Sequence, residues 1–201
     1  SNNAYLITCN RTNDSVVIDT PAEPFELVEA RKATNPTFIL ITHGHQDHVE
    51  GFNFVNRDST PMVGIGKDDR NSLPTVTDFQ LDVSTDQRLA IGDISFRSLA
   101  TPGHTPGSTC YLLESEESKA AGEPAHVFTG DTLFPGGPGR SKSHEALKQI
   151  LNSLETHIFT LPESTIVLPG HGEFTTIAES RREYEIFKSR PLDPNVSGDV
   201  T

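Results

Sequence analysis

The sequence predicts an α+β chain folded as a four-layer αββα sandwich. Two observations carry that expectation. Strand-like stretches dominate each half, and each half contains helices whose apolar residues keep to one face, as helices covering the outside of paired sheets do. In addition, four strand-like stretches end within a few residues of a His or an Asp, which would gather those side chains on one rim of such a sandwich. At 201 residues the chain can bury a full core without staples, and residues 1–190 are read as that single domain. Residues 191–201, with two prolines among small polar residues, are read as a loose C-terminal tail.

Taken in order, Ala4 to Cys9 and Ser15 to Asp19 read as a hairpin turned by Asn10 to Asp14. Glu23 to Ala33 sets Phe25, Leu27, Val28 and Ala30 among charges and reads as an amphipathic helix. Thr37 to Ile41 is a continuous apolar run bounded by Pro36, the pattern of a buried strand. His48 to Asn56 follows as a short helix with Val49, Phe52 and Val55 inward, and Pro61 to Ile65 is a further strand. Lys67 to Asp86 is polar and weakly periodic, so a loop with at most one short helix is expected there, of the kind that forms a substrate-facing flap.

In the second half, Arg88 to Ile91 and Ile94 to Ala100 pair across Gly92-Asp93, and Ser108 to Leu113 is the next strand. The acidic run Glu114 to Glu123 reads as a solvated turn. Ala125 to Thr129 and Thr165 to Leu168 are strands. Between them Ser143 to Leu154 is a helix with Leu147, Ile150, Leu151 and Leu154 on one face, and Thr176 to Lys188 closes the domain as a helix.

Composition removes several function classes. Asp and Glu outnumber Lys and Arg 28 to 16, a formal charge of −12, which argues against nucleic acid or an anionic membrane as partner. No stretch approaches the roughly 20 apolar residues of a membrane span, and none resembles a signal peptide. The sequence does not open on Met, so removal of an N-terminal segment is expected. Cys9 and Cys110 both fall in strand-like stretches and are expected to be reduced core residues, which suits a cytoplasmic protein.

The densest chemistry follows the strand at Thr37 to Ile41: Thr42-His43-Gly44-His45-Gln46-Asp47-His48, an H-x-H-x-D-H spacing. Alternate residues of an extended segment point the same way, so His43 and His45 can share one ion. Asp47 and His48, where the chain turns into a helix, can face a second. Clustered imidazoles repel once protonated, and a bound cation replaces those protons. Three more strands end in the same manner: His104 after Thr101-Pro102-Gly103, Asp131 after Gly130, and His171 after Pro169-Gly170. Each alone is an ordinary turn residue, but with the first four they make a set of seven candidate ligands. His126, His144 and His157 do not follow a strand and a Gly in this way and are read as ordinary structural residues.

These motifs resemble the metallo-β-lactamase superfamily. H-x-H-x-D-H, Thr101-Pro102-Gly103-His104-Thr105-Pro106-Gly107-Ser108, Thr129-Gly130-Asp131-Thr132-Leu133-Phe134 and Pro169-Gly170-His171-Gly172 occur in the family's order and span nearly the whole chain. The likeness is nearest to glyoxalase II, the hydroxyacylglutathione hydrolases, because position 131 is Asp where classical β-lactamases of the fold carry Cys. The resemblance implies two divalent metal ions, Zn first with Fe or Mn as alternatives. It assigns His43, His45 and His104 to one ion and Asp47, His48 and His171 to the other, with Asp131 bridging and with Asp131 and Asp47 as catalytic carboxylates. A bridging hydroxide, oriented by Asp131, would attack the carbonyl of a small-molecule thioester or related ester. Two dications against two carboxylates and that hydroxide leave a net positive centre to steady the resulting oxyanion.

The chain departs from this branch in places. The family's helical C-terminal domain, which grips glutathione, has no counterpart in these 201 residues, and neither does a strand usually found upstream of the one at Ala4. Arg140 occupies the place of a basic residue that meets the glutathione carboxylate, so it is the candidate substrate-binding residue. Ser141, Lys142 and Ser143 do not supply the aromatic residue usual in that loop. Competing expectations are a persulfide dioxygenase with one iron on His43, His104 and Asp131, and a lactonase on the same binuclear site. The dioxygenase branch usually carries an acid just after its Gly-Arg, where this chain has Ser141-Lys142. A structural or regulatory metal-binding module is the non-enzymatic alternative. A Cys-free set with a shared carboxylate speaks against it, since structural zinc sites are closed and usually built from Cys and His.

Overall fold

Strand alternation sends each apolar side chain to one of three cores, and those cores define the layers. The computed structural model describes residues 2–57, 61–73, 80–189 and 197–198. A five-stranded sheet has the order β1-β2-β3-β4-β5, from Tyr5–Thr8, Asp14–Ile18, Asn35–Leu40, Met62–Ile65 and Gln80–Asp82. A six-stranded sheet has the order β13-β12-β9-β8-β7-β6, in which β6 is Arg88–Ile91, β7 Ile94–Ala100 and β8 Thr109–Ser115. Its remaining strands are β9 His126–Gly130, β12 Ile166–Pro169 and β13 Thr175–Thr176, while Leu133–Phe134 (β10) and Gly137–Pro138 (β11) form a separate small ribbon.

Val16, Ile18, Phe38 and Leu40 of the first sheet face Phe96, Tyr111, Phe128 and Leu168 of the second, and all are buried in the central core. Their chain neighbours Val17, Ile39 and Ile41 point the other way, onto Leu27 and Val28 of α1 (Phe25–Arg31) and onto Phe52 and Val55 of α3 (Phe52–Val55). On the far side Leu99, Cys110, Leu112, Val127 and Val167 meet Ile150 of α5 (His144–Ser153) and Ile177, Tyr184 and Phe187 of α6 (Ile177–Ser189). Phe38 to Ile41 is apolar throughout because both faces of β3 are covered there. The fold is the αββα sandwich that the sequence predicts.

Several boundaries differ from the sequence reading. The helix expected from His48 to Asn56 is two short ones, α2 (Gln46–Val49) and α3, separated at Glu50-Gly51. The run Glu114 to Glu123 is not one solvated turn: β8 continues to Ser115, and α4 (Glu116–Ala121) follows. The Ser115 side chain accepts from Ser118 N, and Gly122 ends that helix at φ 74°. Cys9 is buried one residue beyond β1, and His157 lies in a π turn, Leu154–Ile158, that prolongs α5. Within Lys67 to Asp86 there is a 3-10 helix, Lys67–Ser72, and the edge strand β5, whose pairing with β4 an unpatterned polar segment does not announce. The expected flap falls partly on residues 74–79, outside the described residues, as does the tail apart from 197–198, where Gly198 pairs with Ser141.

Candidate metal centre

All seven sequence-predicted ligands lie at one end of the sandwich, where strands of both sheets stop. His43, His45, Asp47 and His48 follow β3 of the first sheet, while His104, Asp131 and His171 follow β7, β9 and β12 of the second. Parallel pairing of β9 with β12 sets Pro169 opposite Gly130, and Gly170 N donates to Gly130 O at 2.8 Å, which brings Asp131 and His171 together. Gly170 is required by close approach: a Cβ there would stand 2.5 Å from Asp131 Oδ1 and 2.6 Å from His48 Cε1.

Hydrogen bonds on the far side of three rings decide what their near nitrogens present. His48 Nδ1 donates to Asp19 Oδ2 at 2.8 Å and His104 Nδ1 donates to the Arg140 carbonyl at 2.8 Å. Thr42 Oγ1 donates to Asp19 Oδ2 at 2.8 Å and therefore accepts from His43 Nδ1 at 3.1 Å. These tautomers follow from the partners and leave Nε2 lone pairs directed into the site. His43 Nε2 and His104 Nε2 converge on His45 Nδ1 at 3.1 and 2.9 Å. Nitrogens bonded to one tetrahedral zinc at ~2.0 Å would lie about 3.3 Å apart, so the spacing fits a shared cation.

A second group consists of Asp47, His48 and His171, and a third, His43, His48 and Asp131, joins the first two. His171 Nε2 lies 3.3 Å from His48 Nε2 and 3.3 Å from Asp47 Oδ2. Asp131 reaches both sides: its Oδ2 is 3.6 Å from His104 Nε2 and 3.5 Å from His171 Nε2, and its Oδ1 is 3.4 Å from His48 Nε2. That Oδ1 is buried with no hydrogen-bond donor. A carboxylate oxygen without a close donor, set among converging Nε2 atoms, fits a cation between them.

The electrostatics agree. Burial pushes the His43 pKa well below its ordinary value, and the neighbouring imidazoles add to this. Burial also lowers His45, aided by His104 and by the Lys142 ammonium. At His48 burial opposes charge, but Asp19 and Asp131 outweigh it and raise the pKa to about 10, so without a metal a proton is drawn to the place of a cation. Burial likewise works against the Asp47 charge, yet the Asn2 amide and His48 hold it below the ordinary carboxylate range.

Three supporting residues escaped the sequence reading. Asp19 bonds Thr42 and His48 as described, and the buried Asp69 ties two ligand loops together. Its carboxylate accepts from Gly44 N at 2.8 Å, Thr105 Oγ1 at 2.5 Å and Gly107 N at 3.1 Å. Asn2 bonds Asp47 through Nδ2. Asp19 closes a strand and Asp69 sits in a helical turn, positions that local pattern treats as ordinary. Arg140 meets the site through its backbone carbonyl, while its side chain is exposed. Among the described residues neither Arg140 nor Lys142 has a carboxylate partner in an ion pair.

An αββα sandwich that gathers five histidines and two aspartates at one rim is a metal-binding fold of the metallo-β-lactamase type. The chain belongs to the metallo-beta-lactamase superfamily, whose family model matches residues 1–171. It is 34% identical over 187 residues to the probable hydroxyacylglutathione hydrolase glo2 of Schizosaccharomyces pombe, covering 87% of this chain and 65% of that one. It is 30% identical over 195 residues to a hydroxyacylglutathione hydrolase of Dictyostelium discoideum, covering 90% and 68%. The chain thus spans about two thirds of the length of these relatives. Among solved structures it is similar to the BLEG-1 B3 metallo-beta-lactamase, with TM-score 0.74 and 28% identity over 89% of this chain and 90% of that one. It is also similar to TTHA1623 in a di-iron-bound form, with TM-score 0.71 and 28% identity over 91% and 93%. Among the described residues no helix is long and apolar enough to cross a membrane.

Proposed function

We propose that this protein is a binuclear metal-dependent hydrolase of small-molecule thioesters or related esters. The observation that carries the reading is Asp131, whose Oδ1 is buried without a donor and whose two oxygens lie beside both ligand groups. His43, His45 and His104 would hold one ion and Asp47, His48 and His171 the other, with Asp131 available to both; zinc suits the nitrogen-rich donors best, with iron or manganese as alternatives. Two such ions supply a Lewis acid and a water acidic enough to act as nucleophile near neutral pH. Relatives named as hydroxyacylglutathione hydrolases, and a di-iron neighbour of the same fold, support this reading.

The chain's own residues do the positioning. Asp19, Thr42 and the Arg140 carbonyl fix three imidazoles so that no rearrangement is needed during the reaction. Asp47, on the open side, would keep a carboxylate beside the water that the ions activate, held there by the Asn2 amide. The Arg140 guanidinium and the Lys142 ammonium, which have no carboxylate partner among the described residues, receive an anionic group of the substrate. Cytoplasmic residence is part of this reading, and the free, buried Cys9 and Cys110 fit a reducing compartment.

Elemental analysis of purified protein, followed by a panel of thioesters and lactones, tests the reading. Two equivalents of metal and thioester hydrolysis are expected, with weak turnover of S-lactoylglutathione because Ser141 and Lys142 stand where an aromatic residue is usual. One iron per chain with oxygen uptake would replace the proposal with dioxygenation.

A further inference from the structure

The second cation position is the open one, and the first residues of the chain reach it. Asn2 directs its amide at a single residue: Nδ2 donates to the Asp47 carbonyl at 2.8 Å and to Asp47 Oδ2 at 3.0 Å. It also forms an isolated antiparallel bridge with His171. Asn3 continues the contact, donating from its backbone to Gly170 O at 2.8 Å and from Nδ2 to Pro169 O at 3.1 Å and Gly172 O at 3.0 Å. A third segment therefore holds two ligands that arrive on different elements, Asp47 on the four-residue α2 and His171 on the loop after β12.

Asp47 is the ligand that most needs holding. Its side chain is 53% exposed, against 0% for His48 and 14% for Asp131. The oxygen that Asn2 bonds, Oδ2, is the one 3.3 Å from His171 Nε2 and 3.8 Å from His48 Nε2. An exposed aspartate without such a bond would exchange rotamers and present this oxygen only part of the time. Ligands of the first position are held by other groups, Thr42, Asp69 and the Arg140 carbonyl. Asp19 serves both positions, through Thr42 and through His48, whereas the Asn2 contact belongs to the second alone.

We propose that Asn2 is a positioning residue that locks the Asp47 carboxylate toward the second cation, so that the Asn2-Asn3 pair decides whether the protein carries one ion or two. The inference rests on the two-cation reading above and deepens it. Outer partners of metal ligands typically change affinity by about 10- to 100-fold when removed, and that is the loss expected at the second position alone.

Stepwise titration of metal-free protein with Co(II), followed by calorimetry and by visible d–d absorption, separates the positions. Wild-type protein fills both in two steps. Asn2→Ala keeps the first step and its spectrum, while the second weakens by roughly 10- to 100-fold. Asn2→Gln, which returns an amide donor on a longer arm, recovers part of that loss. The metal-free melting temperature is the same in all three. Wild-type affinities at both positions in Asn2→Ala overturn the inference. So does a parallel fall in both affinities and in the metal-free melting temperature, which marks a general structural role. A wild-type protein that takes up only one equivalent overturns the two-cation reading and the inference with it, so the two failures are distinguishable.

Discussion

The two halves of the proposed metal centre are made of the same chemistry in different surroundings. In the first, His43 and His104 are 1% and 7% exposed, and their outer nitrogens bond to groups fixed by β-strand ends or loop backbone. In the second, Asp47 and His171 stand 53% and 34% exposed, and only His48 is enclosed. One half is finished before a cation arrives; the other stays open to water and to whatever is to be hydrolysed. Binding strength and access make opposite demands on a metal site, and a pair of positions allows each to be met separately.

The largest expected effect separates the halves directly. His104→Ala removes a buried ligand and reduces hydrolysis by well over 100-fold, beyond the ~10–100-fold range of an outer partner. His171→Ala leaves the first position filled and loses one metal equivalent, as elemental analysis would record. Comparable hydrolysis by His104→Ala at full metal content would remove the catalytic assignment altogether.

Asp69→Ala tests what makes the first half rigid. It strands the buried Gly107 N–H, worth about 1–3 kcal/mol without an acceptor, and frees the part-buried Gly44 N–H, while the Thr105 hydroxyl can still donate to Ser108 Oγ. Denaturant unfolding should show a loss in that range, and zinc affinity should fall at the first position more than at the second. Asp69→Asn, which keeps one acceptor, should lose less on both measures. The smallest effect is kinetic. A chelator added to loaded protein should withdraw metal in two phases, with the faster belonging to the exposed half. A single phase covering both equivalents would show that the difference in burial has no consequence for retention.

Much of the proposed centre is legible in the sequence because each candidate ligand sits beside the strand that carries it. The apolar run Phe38 to Ile41 announces a strand covered on both faces, and His43 and His45 follow it directly. What the sequence does not reveal is how ligands are held, since the holding partners lie far along the chain. Asp69 is 25 positions from Gly44, and Asn2 is 45 from Asp47; no local period relates them. Helix α4 is a different case. Ser115 and Gly122 are caps visible in the sequence, but the charges between them invite reading as a solvated loop. The break between α2 and α3 has a signal too, a Gly whose Cβ would stand 2.2 Å from Pro21 O, yet that neighbour is known only from the fold.

The distribution of ligands between the sheets has a mechanical meaning. Four of the candidate ligands follow β3 of the first sheet and three follow strands of the second, so a loaded centre would cross-link the two layers at one end. Because cations bind the native arrangement and not the unfolded chain, filling the site raises the work needed to pry the layers apart, by RT ln(1 + [metal]/Kd) at each position. Metal supply during synthesis would then govern how much folded, protease-resistant protein accumulates, independently of any substrate.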